Sequence, residues 1–309
     1  IQNMEQIRDM FQHGYDSYMY HGWPEGEVRP ISCEPGEFDL VKLKGLTLMD
    51  SLDTLLILQN GTEFARATER LRHLHESKHL FRVDQNVSLF ETNIRVLGGL
   101  LSAHQLADSY FSRFPLPLLS NVLNNSGNVR WGGDYYDDDE CTANSTSSSS
   151  SNATTTTTTA AKWQYDGFFL ELARDMGERL LPAFRTKTGI PYGTVNLLYG
   201  VPNGETTVAS LAGAGTLTLE MELLSRLCRD DRFGKAARLA TRALFRKRSK
   251  LDLYGKHVDI KSGSWTETLS GIGSNSDSFH EYLAKYYFVF GEDDDFWTMF
   301  TNTYNAIFR

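Results

Sequence analysis

Apolar side chains recur at the spacing of an α-helix along most of this chain, which restricts its fold more than any other feature. One such stripe consists of Met4, Ile7, Met10, Phe11 and Tyr15. The same spacing predicts helices at 51–58 and 62–77, which form a hairpin joined at Asn60-Gly61. It predicts further helices at 87–108, 167–184, 206–228, 231–248, 276–290 and 294–308. Helices joined by short connectors indicate an all-α domain of stacked or ring-arranged helical hairpins.

Strand patterns are few and short, at 194–200 and 256–260. The helical pattern is interrupted by a low-complexity segment at 133–162, where acidic residues are followed by serine and threonine repeats. Such a segment cannot bury enough apolar surface to offset the entropy of ordering it. We therefore predict one domain over residues 1–309, with a disordered insertion at 133–162.

Charge excludes some classes of partner. The 309 residues carry a net charge of −8, with lysines and arginines scattered along the chain. Nucleic acids and anionic membrane surfaces are therefore not expected as partners. The sequence contains no apolar run of the roughly 18–20 residues that a membrane-spanning helix needs.

Other residues indicate the secretory route. Asn-x-Ser/Thr sequons occur at Asn60, Asn86, Asn124, Asn144 and Asn152. The chain has an odd number of cysteines, Cys33, Cys141 and Cys228, so at least one has no partner within it. No signal peptide is visible, and we expect that the original N-terminus has been removed.

The segment 88–103 has a narrow polar seam on a helix that is otherwise apolar. The seam consists of Ser88, Glu91, Thr92, Arg95, Gly98, Gly99 and Ser102. An exposed face with an ordinary i,i+4 ion pair is one interpretation. The other is a cavity-facing side, where the glycines leave room for a ligand or another backbone. In a cavity, Glu91 could serve as a general acid beside Arg95.

Two further acidic elements stand out. Asp277 lies at a predicted helix start, and Glu281 follows one turn later. Asp50 and Asp53 precede a run of leucines. Helix capping and solvated side chains are the simpler explanation of both elements.

A third candidate is a metal site at His75 and His79, which match the H-E-x-x-H zinc motif. The match falls near the end of a polar helix, and Gln85 stands where an extended motif would have a third histidine. A zinc hydrolase is therefore a remote alternative.

Five ordered motifs resemble the inverting α-1,2-mannosidases of glycoside hydrolase family 47, in particular the ER degradation-enhancing branch. They are LTLMDSLDTLLIL, SLFETNIRVLGGLLSAH, GIPYGTVNLLYGV, AGAGTLTLEMELLSRL and GIGSNSDSFHEYLAKYY. The resemblance covers the N-terminal two thirds of that family's catalytic domain. It implies an (α/α)7 barrel, incomplete in this chain, whose inner helices line a pocket for a high-mannose N-glycan.

The resemblance also implies roles for particular residues. Glu91 corresponds to the catalytic acid, Asp277 to the catalytic aspartate and Arg95 to an arginine that contacts the glycan. Glu220 and Glu281 are candidate substrate-binding carboxylates in the pocket. A calcium ion is expected as cofactor, with its threonine ligand and the general-base glutamate beyond Arg309.

The same resemblance implies a setting in the endoplasmic reticulum lumen, where trimmed glycans mark misfolded glycoproteins for degradation. Cys33 is expected to pair with a late cysteine outside this chain or with a disulfide isomerase of the thioredoxin fold. One departure from the family is Asn275, which replaces an arginine that helps to select the glycan branch. A mannose-binding lectin that does not hydrolyse its ligand therefore remains the alternative to an enzyme.

Overall fold

The computed structural model describes residues 2–78, 80–114, 116–117, 162–291 and 294–309. Its helices in chain order are α1 (Gln2–His21), α2 (Leu46–Ile57), α3 (Gly61–Lys78), α4 (Leu89–Glu91), α5 (Gly98–Arg113), α6 (Phe168–Leu180), α7 (Leu211–Gly215), α8 (Thr218–Cys228), α9 (Arg232–Arg246), α10 (Asp277–Phe290) and α11 (Asp294–Ile307). A π-helical turn, Thr92–Leu97, joins α4 to α5, and a 3-10 turn, Leu181–Phe184, follows α6. The predicted helical character is confirmed.

Short strands connect the helices. They are β1 (Glu27–Arg29), β2 (Glu34–Gly36), β3 (Asn86–Ser88), β4 (Leu116–Pro117), β5 (Lys162–Trp163), β6 (Thr194–Asn196), β7 (Val208–Ser210), β8 (His257–Asp259) and β9 (Trp265–Glu267). The pairs β1–β2, β3–β6 and β4–β5 are antiparallel, and β7–β8–β9 form a three-stranded sheet. The strands predicted at 194–200 and 256–260 are therefore present, each as a three-residue segment.

Several pairs of consecutive helices pack against each other as hairpins. Helices α2 and α3, α8 and α9, and α10 and α11 are neighbours in sequence and pack together. The turn between α2 and α3 ends at Asn60, whose side-chain oxygen accepts the Glu63 N–H at 3.1 Å. This bond satisfies one of the free N–H groups at the start of α3. The predicted hairpin joined at Asn60-Gly61 is thus confirmed.

The buried apolar side chains form two clusters. One runs from Tyr15 to Ala237, and the other runs from Ile190 to Met299. Tyr192 and Leu223 pack against both. The two clusters are therefore in contact through shared side chains.

The single helix predicted over 206–228 is wrong. Residues Val208–Ser210 form β7, and the helical part is interrupted after Gly215. A β-carbon at Gly215 would lie 2.3 Å from the Phe279 ring, so the glycine lets α10 approach closely. The Thr216 hydroxyl then bonds with that of Ser278 at 2.9 Å, which fixes the break against α10.

The predicted stripe on α1 is only partly buried. Tyr15 is buried, but Met4, Ile7 and Met10 are exposed. On α11, Trp297 and Tyr304 also present apolar surface to solvent. The described helices do not close into a complete ring, and exposed apolar faces are expected of an open barrel.

Two sequence predictions concern residues that are largely outside the described ranges. The insertion at 133–162 lies outside them except for Lys162, which pairs with Pro117. Asn124, Asn144, Asn152 and Cys141 also lie outside them. In the parts of the chain that the structure describes, no helix is long and apolar enough to cross a membrane.

Candidate active site

The segment that carries Glu91 enters its helix through a local capping arrangement. Strand β3 pairs with β6 in the register Val87↔Val195, and Ser88 ends the strand. The Glu91 N–H donates to the Ser88 hydroxyl at 3.3 Å, so this serine caps α4. The chain then passes into the π-helical turn, a feature that occurs frequently at functional sites.

The π-helical turn divides the polar residues of this segment between two directions. Glu91 and Arg95 are half-buried, whereas Thr92 and Asn93 are fully buried. The predicted single seam is therefore wrong in part. One set of polar groups contacts α2, and the buried Asn93 contacts α8.

Arg95 joins two carboxylates. Its Nε donates to Glu91 Oε2 at 2.8 Å, and its Nη1 lies 3.6 Å from Asp50 Oδ2. The guanidinium also lies over the Phe38 ring, 5.2 Å from the centroid. Burial raises the pKa of Asp50, while the Arg95 charge acts in the opposite direction. We call Asp50, Glu91 and Arg95 the acidic cluster.

The acidic cluster depends on close packing of α2 against α5. A β-carbon on Gly99 would lie 2.8 Å from the Met49 carbonyl oxygen, so this glycine is needed where the two backbones meet. Three residues further on, the Ser102 hydroxyl donates to Asp53 Oδ2 at 2.9 Å. Of the two interpretations of the glycines, room for another backbone is correct for Gly99.

Glu220 links the helices that carry the two predicted catalytic residues. Its Oε2 accepts from the Asn93 amide at 2.7 Å, and its Oε1 accepts from the Tyr282 hydroxyl at 2.7 Å. Asn93 belongs to the π-helical turn next to Glu91, and Tyr282 belongs to α10, which starts at Asp277. Burial raises the pKa of Glu220, and the two donated hydrogen bonds lower it in part.

Gly98 lies beside this link. A β-carbon there would be 3.6 Å from Glu220 Cγ, which is ordinary contact. This glycine therefore borders the Glu220 side chain without a steric need to be glycine.

Asp277 is the first residue of α10 and is exposed. One of its carboxylate oxygens accepts the Ser278 N–H at 2.9 Å. The preceding Asn275 is exposed with φ 73°, and its carbonyl oxygen accepts the Ala212 N–H at 2.9 Å. The loop before α10 is thus held against α7, and the expectation that Asp277 lies at a helix start is confirmed.

Glu281 lies one turn after Asp277 on the same helix. It is exposed and forms an ion pair with Lys285 at 2.5 Å. The hydrogen bond of Asp277 and the ion pair of Glu281 are both made within α10. The connection from α10 to the helix of Glu91 therefore runs through Tyr282 and Glu220.

Sequence reasoning did not identify Asn93, Tyr282 and Phe38 as parts of this arrangement. Asn93 could have been identified from the sequence, since it is a polar residue directly before Ile94 in a predicted helix that is mostly apolar. The nitrogen of a fully buried amide requires an acceptor, and Glu220 supplies it. The other two residues gave no comparable signal, because tyrosine and phenylalanine are ordinary core residues.

Within the described ranges, no group of three histidine, cysteine, aspartate or glutamate side chains could hold a metal ion. His79 lies outside the described residues, and His75 packs its ring against Phe168.

Two surface clefts lie away from the acidic cluster. The larger, about 850 Å³, is bounded by the loop 196–205 and the side chains of Asp175 and Arg179. The smaller, about 370 Å³, shares those two side chains and includes His75. Neither is lined by Glu91 or Asp277.

Comparisons with known proteins agree with the fold. A family model described as Glycosyl hydrolase family 47 matches residues 10–309. The chain is 39% identical to Alpha-mannosidase I MNS4 of Arabidopsis thaliana, over 98% of this chain and 40% of that protein. It is 39% identical to ER degradation-enhancing alpha-mannosidase-like protein 2 of Homo sapiens, over 91% of this chain and 40% of that protein.

A solved structure gives the same result for the fold. The chain resembles an alpha-1,2-mannosidase from Trichoderma reesei with a TM-score of 0.72 and 21% identity. The similarity covers 99% of this chain and 54% of that one. The chain thus spans about 40% of the length of these curated relatives and about half of the solved structure.

Proposed function

The chain belongs to glycosyl hydrolase family 47, and we propose on this basis that the full protein hydrolyses terminal α-1,2-linked mannose from high-mannose N-glycans. One observation carries the proposal. Glu220 bonds to both Asn93 and Tyr282, which ties the helix of Glu91 to the helix of Asp277. An inverting glycosidase needs two carboxyl groups held on separate elements about 6.5–9.5 Å apart, with room for water between them.

Glu91 is the proposed general acid. It is only 16% exposed in its side chain, and Arg95 fixes one of its oxygens at 2.8 Å. The other oxygen has no hydrogen-bond partner in the described part of the chain, and it is proposed to face a glycosidic oxygen and to transfer a proton to it as the bond breaks. Arg95 is proposed to contact the glycan as well, since its guanidinium is 39% exposed.

Asp277 is proposed to act on the same sugar from α10, together with Glu281 as a substrate-binding residue. The exposed position of both carboxylates leaves them accessible to a glycan hydroxyl. Both carboxylate oxygens of Glu220 accept hydrogen bonds from the protein. We therefore propose that Glu220 positions the two helices in addition to contacting the substrate. We propose that residues outside this chain supply the general base and bind a calcium ion. That ion would orient sugar hydroxyls and water.

The biological setting is also part of the proposal. Relatives from Homo sapiens and Schizosaccharomyces pombe are named ER degradation-enhancing alpha-mannosidase-like proteins. We propose that this protein acts in the endoplasmic reticulum lumen on misfolded glycoproteins. Cys33 is exposed and has no disulfide partner among the described residues, which suits a bond with a later cysteine or with a disulfide isomerase.

The experiment is to incubate the full-length protein with a high-mannose N-glycan, calcium and its redox partner, and to measure released mannose. Release by the wild type and its loss in Glu91→Gln support the proposal. Glu5→Gln serves as a control, because Glu5 is an exposed glutamate on α1. Glycan binding without release in every sample would instead identify a lectin.

A further inference from the structure

Two sequons lie in the described residues, and their asparagines have different surroundings. Asn60 is half-buried at the start of α3, where its side-chain oxygen caps the helix. The Tyr110 hydroxyl covers this turn, since it accepts the Gly61 N–H at 3.3 Å and donates to the Gln59 carbonyl at 3.2 Å. A glycan at Asn60 would therefore start from a half-buried side chain beside Tyr110.

Asn86 is exposed in β3 and is held in a different way. Its side-chain oxygen accepts from the Asn196 amide at 2.9 Å, and that amide also donates to Asp84 at 2.8 Å. The Nδ2 atom of Asn86 has no hydrogen-bond partner within the described part of the chain. Nδ2 is the atom to which an N-linked glycan attaches, and its attachment leaves the bond to Asn196 in place.

The loop that the Asn196 side chain holds carries two exposed apolar side chains. The backbone N–H groups of Leu198 and Tyr199 donate to the Asn196 side-chain oxygen at 2.9 and 3.0 Å. Asn196 thus stands between Asn86 and this part of the loop. Tyr199 is 74% exposed and Leu198 is 38% exposed. Both line the cleft of about 850 Å³ described above.

We propose that Asn86 carries an N-linked glycan whose first sugars lie in this cleft against Tyr199 and Leu198. In the transfer step, Nδ2 forms a bond to C1 of the first N-acetylglucosamine of a lipid-diphosphate-linked oligosaccharide. The bond from C1 to the diphosphate breaks, and the amide gives up one proton. The inference rests on the proposed lumenal location but not on the proposed mannosidase activity.

The glycan has a structural consequence. Sugar rings present apolar faces that can cover the Tyr199 ring, so the loop 196–205 is shielded in the modified protein. Since β6 and β3 are paired through Asn196 and Asn86, the same glycan sits at the entrance to the helix of Glu91. The glycan would therefore shield strand β3, which precedes the acidic cluster, from solvent.

Site-specific mass spectrometry tests the first half of the inference. The full-length protein is expressed through the secretory pathway of cultured cells. Enzymatic deglycosylation in heavy-oxygen water then converts each glycosylated asparagine to an aspartate that carries the heavy oxygen. Trypsin separates the two sequons, because Asn86 falls in peptide 83–95 and Asn60 falls in peptide 45–66. We expect label at Asn86 and none at Asn60. An unlabelled Asn86 would overturn the inference.

Limited chymotrypsin digestion tests the second half, by the rate of cleavage after Tyr199. We expect slow cleavage in the glycosylated wild type and in Asn60→Gln, and several-fold faster cleavage in Asn86→Gln. Enzymatic removal of the glycan from the wild type should also accelerate cleavage. It leaves a carboxylate at position 86, which can still accept from Asn196, so it separates loss of the glycan from loss of that bond.

Equal cleavage rates with and without the glycan would contradict its placement in the cleft. Mannose release measured on the same samples separates this inference from the proposed function. An occupied Asn86 without release contradicts only the function, and a vacant Asn86 with release contradicts only the glycan.

Discussion

The Tyr282 hydroxyl donates a 2.7 Å hydrogen bond to the half-buried carboxylate of Glu220, 62 residues earlier in the chain. Together with Asn93, this bond makes Glu220 the connection between the π-helical turn and α10. Both predicted catalytic residues lie on the connected helices. The geometry of the site should therefore depend on a contact that is not itself part of the reaction.

Removing the Tyr282 hydroxyl should destabilise the protein. The Tyr282→Phe variant leaves one oxygen of the half-buried Glu220 carboxylate without its donor, and the loss of a hydrogen bond to a charged group costs about 1–3 kcal/mol. Urea denaturation measures the change in unfolding free energy. Tyr304→Phe is the matched control. Because Tyr304 is half exposed on α11, this variant should lose little unfolding free energy. Equal stability of the wild type and Tyr282→Phe would show that the bond does not hold the helices.

Glu220 should make stability depend on pH in a particular direction. Because burial raises its folded-state pKa above the ordinary value of 4.5, its contribution to stability is greatest below that pH. The contribution is lost as pH rises through the folded-state pKa. Glu220→Gln cannot ionise, so its stability relative to the wild type should increase from about pH 4.5 towards neutrality. A difference that is constant over this range would contradict the raised pKa.

The two adjacent glycines should respond differently to alanine. Gly99→Ala places a methyl group against the Met49 carbonyl oxygen and should cost about 1–3 kcal/mol of unfolding free energy. Gly98→Ala meets only ordinary contact, and the higher helix propensity of alanine can add up to about 1 kcal/mol. Thermal unfolding of the pair gives the comparison. If both variants unfold at the wild-type temperature, the approach of α2 to α5 is looser than described.

Asp50 and Arg95 should be energetically coupled through their 3.6 Å contact. Both side chains are about two-fifths exposed, so a double-mutant cycle on stability should give a coupling of only about 0.2–1 kcal/mol. The cycle uses Asp50→Asn, Arg95→Gln and the double variant, so that each single variant removes the charge of one partner. Additive effects would mean that Arg95 acts on Glu91 without help from Asp50.

The sequence predicted the helices well because their apolar spacing is a local property. It predicted the start of α10 at Asp277 and the hairpin at Asn60-Gly61 for the same reason. The break between α7 and α8 was missed, because it depends on Phe279 packing over Gly215 from a distant helix. Local spacing carries no information about such a contact.

The candidate site was predictable only in part. Glu91 and Arg95 pair one turn apart, as their spacing indicates. The burial of Thr92 and Asn93 was not foreseen, since the π-helical turn changes which residues share a face. The link from Glu220 to Tyr282 joins residues far apart in sequence, and nothing local to either of them encodes it.

The most direct test of the account is mannose release by full-length wild type, Glu91→Gln, Asp277→Asn and the double variant under identical conditions. Residues that act on one bond as a unit give strongly non-additive losses. We expect the rate of mannose release to fall at least about 100-fold in each single variant, in line with loss of a general acid. The rate in the double variant should be little lower than in either single variant. Wild-type release by either single variant would contradict the proposal that Glu91 and Asp277 act on the same sugar.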